Sequence, residues 1–319
     1  DDIRMDEKDN GLVSLVAPMY NEEEVIGLFF ATVEEILDKA KIPYEVICVN
    51  DGSTDNTLSS LKGYSESDPR IKIVNLSRNY GKEVALTAGL DHARGAAVIP
   101  IDCDLQDPPD LIPKMYEKWR EGYQVVLAKR IDRASDSPGK RFSSSLFYKM
   151  ITKISDIDIP ENVGDYRLLD RQVVNALKEF PERSRFMKGL FASLGFRQTT
   201  VDYLRPERAA GTTKWNYWKL YKLAIEGIIS FTSFPLKIWS YLGATMALGA
   251  SIYAIYLIVK TVVLGIDVPG YASLMVVILF SSSAILICLG VIGEYLSRIF
   301  IEVKQRPLYI VMEKVGFDD

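Results

Sequence analysis

The stretch "IDCDLQDPP" at residues 101–109 places three carboxylates, Asp102, Asp104 and Asp107, directly after the apolar run "AAVIP". Like charges at that spacing repel unless water or a cation offsets them, and Mg2+ and Mn2+ are bound through carboxylate oxygens together with substrate phosphates. One chemistry for the stretch is therefore a cation holding a phosphorylated ligand. The other is structural: a solvated acidic turn entering the helix suggested by "PPDLIPKMYEKW", since Asp and Pro both favour helix starts.

Other reactive side chains are sparse. The single histidine, His92 in "LTAGLDHARG", argues against a Ser-His-Asp triad or a multi-histidine metal centre and is read as structural. Cys48, Cys103 and Cys288 are widely spaced in apolar contexts, which excludes a disulfide framework or zinc site and points to a reducing environment. A net charge of -4 gives no general basic footprint, so no nucleic-acid partner is expected. Carboxylates, basic side chains and a metal must carry any chemistry.

The elements that position these groups follow from the hydrophobic pattern. With 319 residues, 48% hydrophobic and 25% charged, the chain is globular, with room for one large domain or two smaller ones. The polar opening "DDIRMDEKDNG" has no apolar h-region, and residues 1–10 are expected to be a disordered lead rather than a signal peptide. From Leu12, the apolar runs "LVSLVAPMY", "YEVICVND", "IKIVNLS", "AAVIPID" and "YQVVLAKR" alternate with helical patterns such as "EEEVIGLFFATVEEILDKAK" and "GKEVALTAGLDHARG". That alternation predicts an α/β fold with a mostly parallel sheet covered on both faces. Ligands collect beyond the carboxyl ends of such strands, where "PMYNEE", "NDGSTD" and "DCDLQD" fall. Arg130 to Tyr148 changes to Arg, Lys, Ser, Gly and Pro, as expected of a long basic loop. "NVGDYRLLDRQVV" and "RSRFMKGLFASLGF" read as a turn with helices, and "RQTTVDYLRPERAAGTTKW" as a strand leading into a basic loop.

The end of the chain differs in kind. Ile238–Val259 and Val268–Gly293 are uncharged, and each exceeds the roughly 20 apolar residues that span a bilayer. Two transmembrane helices are expected, with a buried hairpin in a soluble core as the alternative. Lys214, Lys219, Lys222 and Lys237 precede the pair and Arg298, Lys304, Arg306 and Lys314 follow it. The positive-inside rule then puts the catalytic domain and both termini in the cytoplasm, with the chain multi-pass in the plasma (inner) membrane. "KWNYWKLYKLAIEGIISF" suits a helix in the membrane interface. The expected organisation is a catalytic domain over residues 11–213, amphipathic juxtamembrane helices over 214–235, a transmembrane hairpin over 236–300 and a cytoplasmic tail over 301–319. Small residues in "LGATMALGAS" and "SSSA" permit close helix packing, consistent with a homo-oligomer.

Taken together, "APMYNEEEVI", "VNDGSTDNT", "DCDLQDPP", "GDYRLLDR" and "RAAGTTKWN" resemble family 2 glycosyltransferases of the GT-A fold. Within that family the chain is most similar to polyprenyl-phosphate glycosyltransferases, which include dolichol-phosphate mannose synthases and bacterial polyprenyl-phosphate glucosyltransferases. The resemblance runs over about residues 11–315 and includes the "EVKQRPLYIV" tail. It implies a donor nucleotide held by Pro18, Tyr20, Glu22, Asp51 and Lys82, with Asp102 on the sugar and ribose and Arg208 and Lys214 on the diphosphate. It implies Mg2+ or Mn2+ on Asp104 with Gln106 nearby, leaving Cys103 as small filler because a thiolate does not suit those cations. Asp165 matches the catalytic position near the acceptor, and Arg130, Arg141, Ser145 and Arg167 match or flank positions that grip its phosphate. A helix cap for Asn21, an ordinary turn for "NDGS" and an Asx-turn for Asp165 remain the structural readings of the same residues.

What the resemblance implies is an inverting, metal-dependent hexosyltransferase acting on a nucleotide sugar and a polyprenyl phosphate at the bilayer surface, most simply with UDP-glucose as donor. GDP-mannose is the alternative donor. A processive polysaccharide synthase fits less well, because "ERSRF" only approximates the expected Gln-x-x-Arg-Trp motif and two spans are few. A silent membrane scaffold or flippase subunit is the reading from another class; intact Asp102, Asp104 and Asp165 and the lack of charged residues inside either span argue against it.

Overall fold

The computed structural model describes residues 11–131, 163–180, 182, 187, 190–191, 194–203, 234–264 and 270–317. The expected lead, most of the basic loop with Arg141 and Ser145, and the 204–233 segment with Arg208 and Lys214 lie outside them. The chain divides into two compact units, one made of Asp1–Lys222 with Pro307–Asp319 and the other of Leu223–Arg306.

In the first unit, β1 (Val13–Met19), β2 (Tyr44–Asn50), β3 (Ile71–Leu76) and β4 (Ala97–Pro100) come from the near-continuous apolar runs and are almost wholly buried. β1 pairs in parallel with both β2 and β4, and β2 with β3. Their connections are α1 (Ile26–Ala40), α2 (Thr57–Ser67) and α3 (Lys82–His92). α1 buries Ile26, Phe29, Phe30, Val33 and Leu37, a stripe at helical spacing. α3 lies unusually close to the sheet: a Cβ on Gly89 would overlap the side chain of Val16. That close approach fixes where the first residue of α3, Lys82, sits.

A short 3-10 turn at Pro109–Leu111 and α4 (Ile112–Arg120) follow the acidic stretch, then β5 (Val125–Arg130), β6 (Val163–Asp170), α5 (Arg171–Lys178) and β7 (Gln198–Tyr203). The sheet order is β7-β5-β6-β4-β1-β2-β3-β8, with β8 at Val311–Val315. "VGDYRLLD", expected as a turn before a helix, is instead strand β6, antiparallel to both β4 and β5. The helix begins only after Asp170, whose carboxylate caps it by accepting from the Gln172 N–H at 2.9 Å. The other oxygen of Asp170 accepts from the Trp119 indole at 2.7 Å, so one buried carboxylate ties α4, β6 and α5 together. β4 and β5 each need a partner in the middle of the sheet, and that long-range demand outweighs the local turn signal of Gly-Asp.

Residues after the hairpin, expected as a tail, form β8 (Val311–Val315), antiparallel to β3. Its side chains alternate between half-buried and exposed, as an edge strand's do. Lys62 pairs with Glu313 and the Tyr309 hydroxyl donates to Asp91 at 2.7 Å, fastening the segment to α2 and α3.

The second unit contains α6 (Phe234–Leu264, 31 residues) and α7 (Tyr271–Val303, 33 residues). Among the described residues, Phe280–Val303 is long and apolar enough to cross a membrane by length and composition. Large apolar side chains stand exposed along both helices, among them Val262, Leu286 and Leu296.

At the amino ends of the first strands, the carboxylate of Glu45 is 3% exposed. It accepts from the Ser14 hydroxyl at 2.5 Å, the Arg94 N–H at 2.8 Å and the Lys72 ammonium at 2.6 Å. Burial pushes its pKa up, but these donors outweigh burial and hold it below the ordinary carboxylate value. A carboxylate with a depressed folded-state pKa contributes stability that is present above its unfolded-state value and is lost as pH falls through the folded one. Glu45→Ala should cost about 3 kcal/mol, because it takes the acceptor from the half-buried Lys72 ammonium, the buried Ser14 hydroxyl and the Arg94 N–H at once. Denaturant titration across pH 3 to 7 checks this, with Glu45→Gln expected to flatten the acid limb of the profile relative to wild type.

Candidate active site

The carboxyl ends of β1, β2 and β4 present the loops that begin at Tyr20, Asp51 and Ile101. The first two clasp each other. Asn21, with a left-handed φ of 55°, accepts from the Thr54 N–H at 2.8 Å, and its own N–H donates to Ser53 Oγ at 3.0 Å. The Glu22 N–H donates to Thr57 Oγ1 at 2.9 Å, and Glu23 accepts from the Asn56 N–H at 2.7 Å. Asn21 is therefore a cross-loop brace rather than a helix cap. Pro18, partly buried near the end of β1, leads into Tyr20, which is 43% exposed and free to lie against a flat ligand.

Asp51 is 3% exposed. Its two oxygens accept from the Tyr80 N–H at 2.7 Å and the Gly81 N–H at 2.9 Å, so it anchors the turn that starts α3. The neighbouring Gly52 has φ +67°, and a Cβ there would overlap the backbone of Arg78 and Asn79. The "NDGS" turn is thus packed against the 78–81 loop, and only glycine fits its tip. Reading the sequence alone missed this loop and the buried Asn50–Asn75 side-chain bond of 2.8 Å behind it; the signal was the Gly-containing "SRNYGK" entering an apolar helix.

The acidic stretch is held from below. The hydroxyl of Tyr166, buried on β6, donates to the Pro108 carbonyl at 2.9 Å. Asp104 accepts from the Gln106 N–H at 3.1 Å across Leu105, whose φ is 56°. Cys103 is buried, and burial together with the carboxylates of Glu22, Asp102 and Asp104 pushes its thiol pKa well up. It is inert filler in the acidic loop. Among the described residues no three His, Cys, Asp or Glu side chains form a ready cage for a metal. The oxygen donors present do suit Mg2+ or Mn2+, cations that take a few protein carboxylates and complete their shell with substrate phosphates and water.

β6 supplies the other side. It pairs antiparallel with β4 through Ala97↔Asp170 and Val98↔Leu169. The same register, continued past the end of β4, brings Asp102 level with Asp165. Lys82 joins the two: its ammonium lies 2.6 and 2.7 Å from the Asp102 oxygens and 3.8 Å from Asp165. Burial pulls the Lys82 pKa down, but Asp102, Asp165 and Asp107 outweigh it and hold the ammonium above its ordinary value. A cation at the first position of a helix opposes the helix dipole, so these carboxylates offset a placement that the helix itself disfavours.

Arg167, on the same face of β6 as Asp165, is engaged by the protein. It is 5% exposed, donates to the Gly164 carbonyl at 2.6 Å and stacks its guanidinium 4.3 Å from the Phe191 ring centroid. Burial lowers its pKa to about 10, against the pull of Asp165 and Glu83. It holds the start of β6. Arg130 ends β5, half-buried. His92 bonds the Ala88 carbonyl and packs edge-on to Phe317, a structural role.

Residues 14–178 match the family described as Glycosyl transferase family 2, and residues 234–299 match the GtrB C-terminal hairpin. An uncharacterized glycosyltransferase of Synechocystis sp. is 56% identical over 306 residues, covering 96% of each chain. The SfII prophage-derived bactoprenol glucosyl transferase of Shigella flexneri is 50% identical over 299 residues, 94% of this chain and 97% of that one. Glucosyl-3-phosphoglycerate synthase from Mycobacterium tuberculosis, in a crystal structure with Mn2+, UDP and phosphoglyceric acid, shares the fold with a TM-score of 0.52 at 20% identity, over 70% of this chain and 78% of that chain. The match spans the loops of the cleft as well as the sheet beneath them, and the chain belongs to glycosyl transferase family 2, as a GT-A type glycosyltransferase that carries a GtrB-type hairpin.

Proposed function

We propose that this glycosyltransferase moves glucose from UDP-glucose to the phosphate of a polyprenyl phosphate at the cytoplasmic face of a membrane, with inversion at the anomeric carbon. The observation that carries the reading is the placement of Asp165 on β6 beside Asp102 in the loop after β4, two carboxylates of one cleft joined by Lys82. The bactoprenol glucosyl transferase relative, half identical along almost the whole chain, supports the lipid acceptor and the sugar. The second unit supports the membrane, with both α6 and α7 read as crossing it.

In the reaction, a phosphate oxygen of the acceptor bonds to the anomeric carbon as the bond from that carbon to the donor diphosphate breaks, releasing UDP. The second pKa of a phosphate monoester is about 6, so the acceptor is mostly a dianion at neutral pH and needs little deprotonation. Asp165 therefore orients the acceptor or takes a residual proton. Asp102 receives sugar and ribose hydroxyls, and Pro18, Tyr20 and Glu22 flank the nucleotide, with Asp51 shaping the loop behind it. Asp104, with Gln106 beside it, would hold Mg2+ or Mn2+, which when bound neutralises the departing diphosphate. Arg130, Arg141 and Ser145 are assigned to the acceptor phosphate, and Arg208 and Lys214 to the diphosphate.

The direct test offers the purified enzyme UDP-glucose, GDP-mannose and UDP-galactose with undecaprenyl phosphate and follows sugar into the lipid phase. Transfer from UDP-glucose is expected; transfer from GDP-mannose alone would replace the donor, and none at all would overturn the reading. Asp104→Asn should lower turnover at least about tenfold, and chelation should abolish it in wild type; a chelator-resistant enzyme would remove the metal assignment. For topology, an epitope fused after Asp319 should be cleaved by protease in inside-out vesicles and spared in right-side-out ones. The reverse pattern would invert the orientation.

A further inference from the structure

Bringing a phosphate dianion up to Asp165 sets it against the carboxylates of Asp102 and Asp107 as well, so the attacking group arrives in a negative field. A cation must meet it there. Arg167, two residues beyond Asp165 on β6 and so on the same face of the strand, is buried with its guanidinium bonded to the Gly164 carbonyl and stacked on Phe191, which leaves it committed to the protein. Lys82 is placed differently. Its ammonium lies between the donor-side and acceptor-side carboxylates, 2.6 Å from Asp102 and 3.8 Å from Asp165. Its side chain is 46% exposed, on a flexible stem that swings without disturbing the helix it starts.

We infer that Lys82 is a further group that receives the acceptor phosphate, beside Arg130, Arg141 and Ser145: it neutralises Asp102 and Asp165 in the substrate-free enzyme and turns to the incoming phosphate when donor hydroxyls take over Asp102. The assignment rests on the function proposed above. It moves Lys82 from the donor nucleotide to the acceptor, and it leaves Arg167 a supporting position within β6. The ammonium then stands beside the oxygen that forms the new bond, where it balances the charge of Asp165 until that oxygen's charge is lost to the glycosidic bond.

The test uses the full-length enzyme in detergent with UDP-glucose, Mn2+ and undecaprenyl phosphate. Lys82→Met should raise the acceptor KM at least about tenfold, the loss of one charge-assisted bond to phosphate. UDP binding in the presence of Mn2+, measured by calorimetry without acceptor, should weaken much less than the acceptor KM rises, since Lys82 touches the donor side only through Asp102. Lys82→Arg, which keeps the charge, should restore most of the acceptor use. Weaker UDP binding with an unchanged acceptor KM would return Lys82 to the donor and overturn the inference. Parallel loss of both, not rescued by Lys82→Arg, would show a merely structural role and overturn it too. If wild type transfers neither glucose from UDP-glucose nor mannose from GDP-mannose to the lipid, the functional reading falls and the assignment with it; if wild type transfers and only the Lys82 split is wrong, the functional reading stands.

Discussion

Negative charge collected at the carboxyl ends of sheet strands has to be balanced, and among the described residues of this glycosyltransferase the Lys82 ammonium bridges Asp102 and Asp165 from a position set by several unrelated features. Asp51 holds the N–H groups of Tyr80 and Gly81, fixing where α3 starts. Gly52 lets the β2 loop press on the backbone just before that start, and Gly89 lets the helix settle against β1 and β2. β6 runs antiparallel to β4 and so carries Asp165 to the same edge as Asp102. Were any of these displaced, Lys82 would no longer bridge the two carboxylates and their repulsion would open the cleft.

The same sheet carries a second lysine–carboxylate pair at its opposite end, and the contrast between them separates structure from chemistry. Lys72 and Glu45 have side chains only 14% and 4% exposed, and the carboxylate is fully occupied by its donors. Such a pair is permanent, because removing either partner strands a buried charge. Lys82 and Asp102 are 46% and 34% exposed. Water can replace either partner there, so the pair is weak and open to exchange with a ligand.

Much of this was legible in the sequence. The central strands announce themselves as apolar runs, and the acidic loop is recognisable because its groups are close in sequence. The register of β6 was hidden: "GDYR" reads locally as a turn, and only pairing with strands more than thirty residues away makes it a strand. The same holds for Asp51, whose carboxylate is satisfied by backbone groups of a loop that composition cannot place beside it, and for Arg167, whose charge suggested a ligand while the Gly164 carbonyl and the Phe191 ring engage it in the protein. Long-range geometry decides such cases, and one-dimensional spacing does not carry it.

β8 lies in sequence beyond the whole hairpin yet completes the edge of the sheet. The catalytic unit is therefore discontinuous in the gene. During translation its first two hundred or so residues emerge with β3 still an open edge, and they wait for the ribosome to deliver the apolar helices before the closing strand exists. Maturation of the enzyme is thereby ordered, with the last backbone pairing of the soluble part made only after the hydrophobic part has been synthesised. A chain interrupted within the hairpin would present an unpaired strand edge to other chains, a form suited to removal by quality control rather than to premature turnover.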